Sequence, residues 1–142
     1  GIAVAAAGDL LLGVFQGCSF TNSSGEKIFS PVWTGGTVTS DCKAMIVDDP
    51  DMLFEVQSAA TGSVVQTVVG NNCDIVYATG STQSGVSGVK ASGTTATGTA
   101  QLRIMGISND PSNNALGTGT LSTNVNFIVR IAEHFNRTAA GV

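Results

Sequence analysis

Charge is what this sequence has least of. Among 142 residues ten are acidic and six basic, for a formal net charge of −4 with the single histidine neutral. The six basic residues are spread from Lys27 to Arg137, so nothing resembles the clustered Lys/Arg stripe that holds a phosphate backbone, and nucleic acid is excluded as a partner. No apolar run approaches the 18 residues of a membrane span, so no membrane partner is expected. The stretch from Ile2 to Phe15 lacks a basic leader and is interrupted by Asp9, so it does not read as a signal peptide. Prolines number three and cysteines three. Cys18, Cys42 and Cys73 cannot all pair with one another and show neither CxxC nor Cys/His ligand spacing. They read as reduced, mostly buried thiols of a protein assembled in a cytoplasm, with a Cys18–Cys42 bridge as the other reading.

What is abundant is small and β-branched. Ala, Gly, Ser and Thr occupy 63 positions, while Val, Ile and Thr total 40 against 16 for Leu, Met, Glu and Lys together. Branching at Cβ favours the pleated surface over the helix, which predicts an all-β fold, a small β-sandwich or barrel with long surface loops and little helix. At this length the chain is one domain. Strands are expected over Ile2–Ala6, Leu11–Phe20, Lys27–Phe29, Thr37–Thr39, Ala44–Val47, Met52–Gln57, Asp74–Tyr77, Thr95–Ile107 and Asn124–Glu133. Turn chemistry separates them at Asn22–Gly25, Thr34–Gly36, Asp48–Asp51, Gly70–Asn72, Asn109–Asn114 and Gly117–Gly119. Period-two alternation turns Met52, Phe54 and Val56 inward, and likewise Val125, Phe127, Val129 and Ile131. The last segment also fits helical spacing, but its β-branched content favours a strand. A short helix is expected near Ser63–Val69.

From Gly80 to Gly98 the chain has almost no large apolar group, which predicts a long polar loop or hairpin. The end of the chain, 137–142, reads as a flexible tail. No internal repeat is present, although Asp-Pro recurs at Asp49-Pro50 and Asp110-Pro111.

Candidate chemistry is sparse. His134 is the one histidine, no Gly-x-Ser-x-Gly elbow surrounds any serine, and His134 reads as a structural residue ending a strand. Asp48, Asp49 and Asp51 with Glu55 downstream lack the alternating ligands and glycine of a calcium loop and read as a solvated turn cornered by Pro50. Gly85-Val-Ser-Gly88 has no following lysine to make a phosphate loop, and the acceptor patterns at Asn22 and Asn136 read as chance. Neither catalytic residues, metal ligands nor cofactors are expected. Trp33, beside Pro31 and near Phe29 and Phe20, is either a core corner or an exposed binding aromatic.

Three stretches, Leu12–Phe20, Ile28–Trp33 and Ile46–Gln57, resemble a family of virion structural proteins of tailed phages, many from marine and cyanobacterial hosts. The likeness continues through Asp74-Ile-Val, Gly85-Val-Ser, Leu102–Ile107, Asp110–Asn113 and Glu133-His-Phe-Asn136. The resemblance implies a capsid decoration, or cement, protein that binds the outer face of the phage head. It further implies an arm and a first strand preceding the Ala6–Asp9 region, and it brings no catalytic residues. The partners expected are a major capsid protein and further copies of the chain, as a dimer or trimer, on a virion assembled in the host cytoplasm. Low charge suits permanent burial against a partner. The interface residues expected are Phe135, Trp33, Val86 and Val89, the last two within the polar loop. A host-recognition or glycan-binding module of a tail or head fibre, with Trp33 as its platform, is the alternative, and a polysaccharide-cleaving enzyme comes third.

Overall fold

The computed structural model describes residues 2–33, 40–60, 64–81, 83–95, 98–110, 113, 120–121 and 124–137. It is mostly β-strand, with two short 3₁₀ turns, Gln66–Val68 and Phe135–Arg137, and little other helix among the described residues. All-β therefore holds.

The largest sheet has four antiparallel strands: β4 (Leu53–Gln57), β11 (Asn126–Ile131), β9 (Leu102–Ile107) and β6 (Asn72–Cys73), in the order β4-β11-β9-β6. β11 alternates strictly, with Phe127, Val129 and Ile131 buried and Asn126, Ile128 and Arg130 turned to the other face. Val129 pairs with Phe54 on one side and Ile104 on the other. Phe127, Val129, Ile131 and Ile104 join Leu102, Cys73, Ile75, Val64, Val68, Ala91, Leu11 and Val125 in one core cluster, with Phe54 partly buried against it. Each fully buried Val, Ile or Phe side chain contributes roughly 1.5–3 kcal/mol, so the inner face of this sheet dominates the fold.

The second sheet is three-stranded, β2-β1-β3, with β1 (Val14–Thr21) between β2 (Lys27–Ser30) and β3 (Ser40–Val47). Its hairpin turn is built by Asn22, whose Oδ1 accepts from the N–H groups of Ser24 and Glu26 at 2.9 Å each and whose Nδ2 donates to Glu26 Oε2. Gly25 supplies the left-handed residue at φ 82°, as the turn sequence predicts. The ladder slips between Ser19 and Thr21, where Asp41 takes a positive φ of 55°. Two small ladders complete the ordered strands: β5 (Val64–Val65) with β10 (Thr120–Leu121), and β7 (Ile75–Val76) with β8 (Lys90–Ala91).

Several expectations are corrected. Ile2–Ala6 forms no ladder. Leu11 makes only an isolated bridge to His134, and β1 starts at Val14. Of the strand expected over Thr95–Ile107, residues 96–97 lie outside the described residues and Leu102–Ile107 forms β9, preceded by a bend at Gln101, which serves as a hydrogen-bonding hub. Met52 lies exposed before β4, its N–H held by the Asp49 carbonyl in the turn, rather than facing inward with Phe54 and Val56. The helix expected at Ser63–Val69 is a strand pair followed by a 3₁₀ turn. Within the Gly80–Gly98 stretch, Lys90–Ala91 is a strand and Ala91 is fully buried, bridged to Ser58. Its small side chain and Gly93, where a Cβ would overlap Ala60, permit backbone contact that no hydrophobic pattern announces. Thr37–Thr39 and residues 138–142 lie outside the described residues.

Candidate interaction site

The residues expected at an interface fall into two places. Pro31, Val32 and Trp33 leave β2 in a turn fastened by Ser30, whose hydroxyl accepts from Val32 N–H at 3.1 Å and donates to Val32 C=O at 2.7 Å. The Trp33 ring stands edge-on to buried Phe20, with centroids 5.9 Å apart and planes at 85°. It remains 47% exposed, a braced aromatic intermediate between the two sequence readings. Val32 packs on the α-carbon of Gly85, at φ 69°, where any side chain would overlap it. That contact sets the 81–86 loop beside the Trp33 turn.

The loop is ordered by its serines. Ser81 Oγ accepts from Ser84 N–H, Ser84 Oγ from Val86 N–H and Ser87 Oγ from Val89 N–H, while Ser81 N–H reaches back to the Val86 carbonyl at 3.0 Å. Hydroxyl-to-backbone closure of this kind replaces a hydrophobic anchor. Val86 is 63% exposed. Val89 differs: its side chain is partly buried against the core cluster, committed inward rather than presented outward.

Phe135 belongs to the opposite construction, the end of β11. Leu11 N–H donates to the Glu133 carbonyl at 3.0 Å and Phe135 N–H to the Leu11 carbonyl at 2.9 Å, a short parallel bridge. Alternation across that bridge buries Leu11 and His134 and turns Leu10 and Phe135 out, Phe135 to 48% exposure. His134 is 1% exposed. Its Nδ1 accepts from Asn136 N–H at 3.0 Å, and its Nε2 has no hydrogen-bond partner among the described residues. The ring fastens the 3₁₀ turn, the structural role expected of it. Arg137 on that turn bonds Asp51, which also lies 3.6 Å from Arg130. The acidic turn is thus anchored by two guanidinium groups rather than purely solvated. Apolar groups outside the expected interface set are exposed as well: Phe29, Met45, Leu53 and Met105.

Among the described residues no three His, Cys, Asp or Glu side chains gather as a metal-binding group. All three cysteines are free, Cys18 and Cys73 buried and Cys42 exposed, so the mostly buried set has one exception and the Cys18–Cys42 bridge is not formed. Burial raises the Cys18 thiol, with Cys42 adding to the shift, and pushes Cys73 up to about 11 from 9.0, with the neighbouring Asp74 carboxylate as the lesser cause. Folding therefore favours the protonated Cys73. Its contribution to stability is complete below pH 9.0 and is lost as pH rises through about 11. Iodoacetamide at mild pH is expected to label Cys42 alone in the native state, and Cys73→Ala is expected to flatten the alkaline fall in the unfolding midpoint. Rapid labelling of Cys18 or Cys73 would contradict their burial.

No protein-family model, no curated protein and no solved structure matches the chain.

Proposed function

We propose that this chain is a non-enzymatic virion structural protein, a decoration or cement protein that docks on the outer face of a phage head and stabilises the shell. The observation that supports it is the combination of seventeen exposed large apolar side chains among the described residues with only ten acidic and six basic residues in the whole sequence. Single exposed apolar groups are ordinary, but so many on a weakly charged surface suit a protein that spends its life against a partner. In this reading the two sheets form a small β-sandwich or barrel, and Trp33, Val86 and Phe135 are the outward anchors. The partners are the major capsid protein and further copies of the chain.

A cement protein binds assembled lattice and not free capsid subunits, and it stabilises the bound state by mass action. Shells stripped of the chain are expected to rupture at a lower temperature than decorated shells, and adding it back is expected to restore the higher value. An unchanged rupture temperature would remove the cement role. It would move weight to the second reading, a host-recognition or glycan-binding module, which the half-exposed, Phe20-braced Trp33 favours. In that case Trp33→Ala abolishes glycan or cell-surface binding while shell stability stays the same.

A further inference from the structure

Two halves of a β-ladder are present in this molecule without being joined. Ile2–Ala5 carries Ile2 and Val4 at alternate positions, both exposed, Val4 to 71%, while Ala5 at its inner end is partly buried against the core. None of its backbone N–H or C=O groups has a hydrogen-bond partner among the described residues. Its root is fixed, because the Ala6 and Asp9 carbonyls are held by Gln101 Nε2 at 2.8 and 2.6 Å beside the core sheet. β3 is the complementary half. It is a strand of eight residues that, among the described residues, pairs only with β1, at the edge of its sheet.

The devices that normally blunt such an edge lie in its first part: the bulge with Asp41 at positive φ, and the charges of Asp41 and Lys43. From Ala44 to Val47 there is neither charge nor proline, and the second slip of the ladder, between Phe15 and Gly17, places its extra residue, Gln16, on β1 rather than on this edge. The neighbouring positions on β1, Val14 opposite Val47 and Phe15 opposite Ile46, are exposed and apolar, as is Met45 itself. Four donor residues, two of them the strand formers Ile2 and Val4, and four edge residues match in length, about 13 Å each at 3.3 Å per residue.

We propose that Ile2–Ala5 of one copy adds as a further strand to the Ala44–Val47 edge of a second copy, so that the chain associates head to tail with itself. The donor segment is tethered at the core sheet and the acceptor edge lies in the other sheet, which shares no ladder with it. Main-chain hydrogen bonds supply the affinity, and Ile2 and Val4 cover the apolar end formed by Val14, Phe15 and Met45. Because donor and acceptor are different surfaces, the contact is heterologous and closes into a ring or extends as a chain. It stands independently of the capsid reading.

Sedimentation velocity of the full chain over a concentration series tests this. Wild type is expected to self-associate. Val4→Pro removes an N–H from the donor at an exposed position with no bond to lose, and Met45→Lys places a charge on the open edge. Each is expected to weaken association about tenfold or more with an unchanged melting curve. An equimolar mixture of the two variants is expected to form dimers and nothing larger, since it contains one intact donor and one intact edge. A wild-type chain that stays monomeric at the highest concentration would overturn the proposal. So would Val4→Pro associating as wild type does, which is the result if β3 edges pair with each other, and so would a mixture that forms no dimer.

Discussion

Replacing Gln101 by alanine is expected to lower the unfolding free energy by about 3–4 kcal/mol, although the residue is polar and touches no ligand. Gln101 is fully buried, and each side-chain atom able to bond is used. Oε1 accepts from Ile75 N–H at 3.0 Å, and Nε2 donates to the carbonyls of Ala6 and Asp9. Its main chain is equally engaged, with its N–H on Asp74 Oδ1 and its carbonyl accepting from Ala132 and Glu133. One side chain thus ties the N-terminal segment to β7, while the backbone of the same residue ties β7 to the end of β11.

Alanine orphans the buried Ile75 N–H, at about 1–3 kcal/mol, and leaves a void where the amide was. The carbonyls of the exposed Ala6 and Asp9 turn to water at little cost. At about 3 °C per kcal/mol for a chain of this length, the melting temperature falls by about 10 °C. Hydrogen exchange adds a local signature, with the Ile75 amide losing protection first. Gln101→Glu is expected to be worse at neutral pH, because a carboxylate would face two carbonyl oxygens without a proton to give. A melting temperature within 2–3 °C of wild type for Gln101→Ala, about the effect of 1 kcal/mol, would show that the hub does not hold these segments together.

Phe127→Ala is expected to cost about 3–5 kcal/mol, a large share of the about 5–15 kcal/mol that holds an ordinary domain folded, and to lower the melting temperature by about 9–15 °C. Phe127 is fully enclosed at the centre of β11, between Val56 and Ile107 across the two ladders. The cavity it would leave is walled by strands on both sides and cannot collapse. The same substitution at Phe135, eight residues on, gives the contrast. That ring is half exposed beyond the Leu11–His134 bridge, so Phe135→Ala is expected to shift the melting temperature by less than about 3 °C, a loss under 1 kcal/mol, while weakening attachment to a partner. Urea denaturation of both variants measures the difference. Equal losses would mean that Phe135 is a core residue, and the contact surface would then have to be sought at the 81–86 loop.

How far the sequence revealed this arrangement depended on whether a residue's role was local. The inward face of β11 was legible because alternation and branching at Val125, Phe127, Val129 and Ile131 are properties of the strand itself. The Asn22–Gly25 turn was legible because its chemistry closes within five residues. Gln101 was not, since its three side-chain partners lie 26, 92 and 95 positions away. Ala91 and Gly93 were missed because backbone contact through small residues leaves no hydrophobic period to detect. Ile2–Ala6 has the strand formers Ile2 and Val4, yet a strand requires a partner and none of the described residues pairs with it. At the candidate site the same distinction holds. Val86 and Val89 look equivalent in a Gly/Ser-rich stretch, but only tertiary packing turns one out and the other into the core, and the exposure of Trp33 depends on what Phe20 and Val32 cover.

The role proposed for this surface, to serve a phage shell, is tested by cryo-electron microscopy of intact particles carrying the chain. Density for the β-rich domain is expected in many copies on the outer face of the head, with the Trp33–Val86 or Phe135 ends against the lattice. A few copies confined to the tail, or particles without the chain, would contradict it.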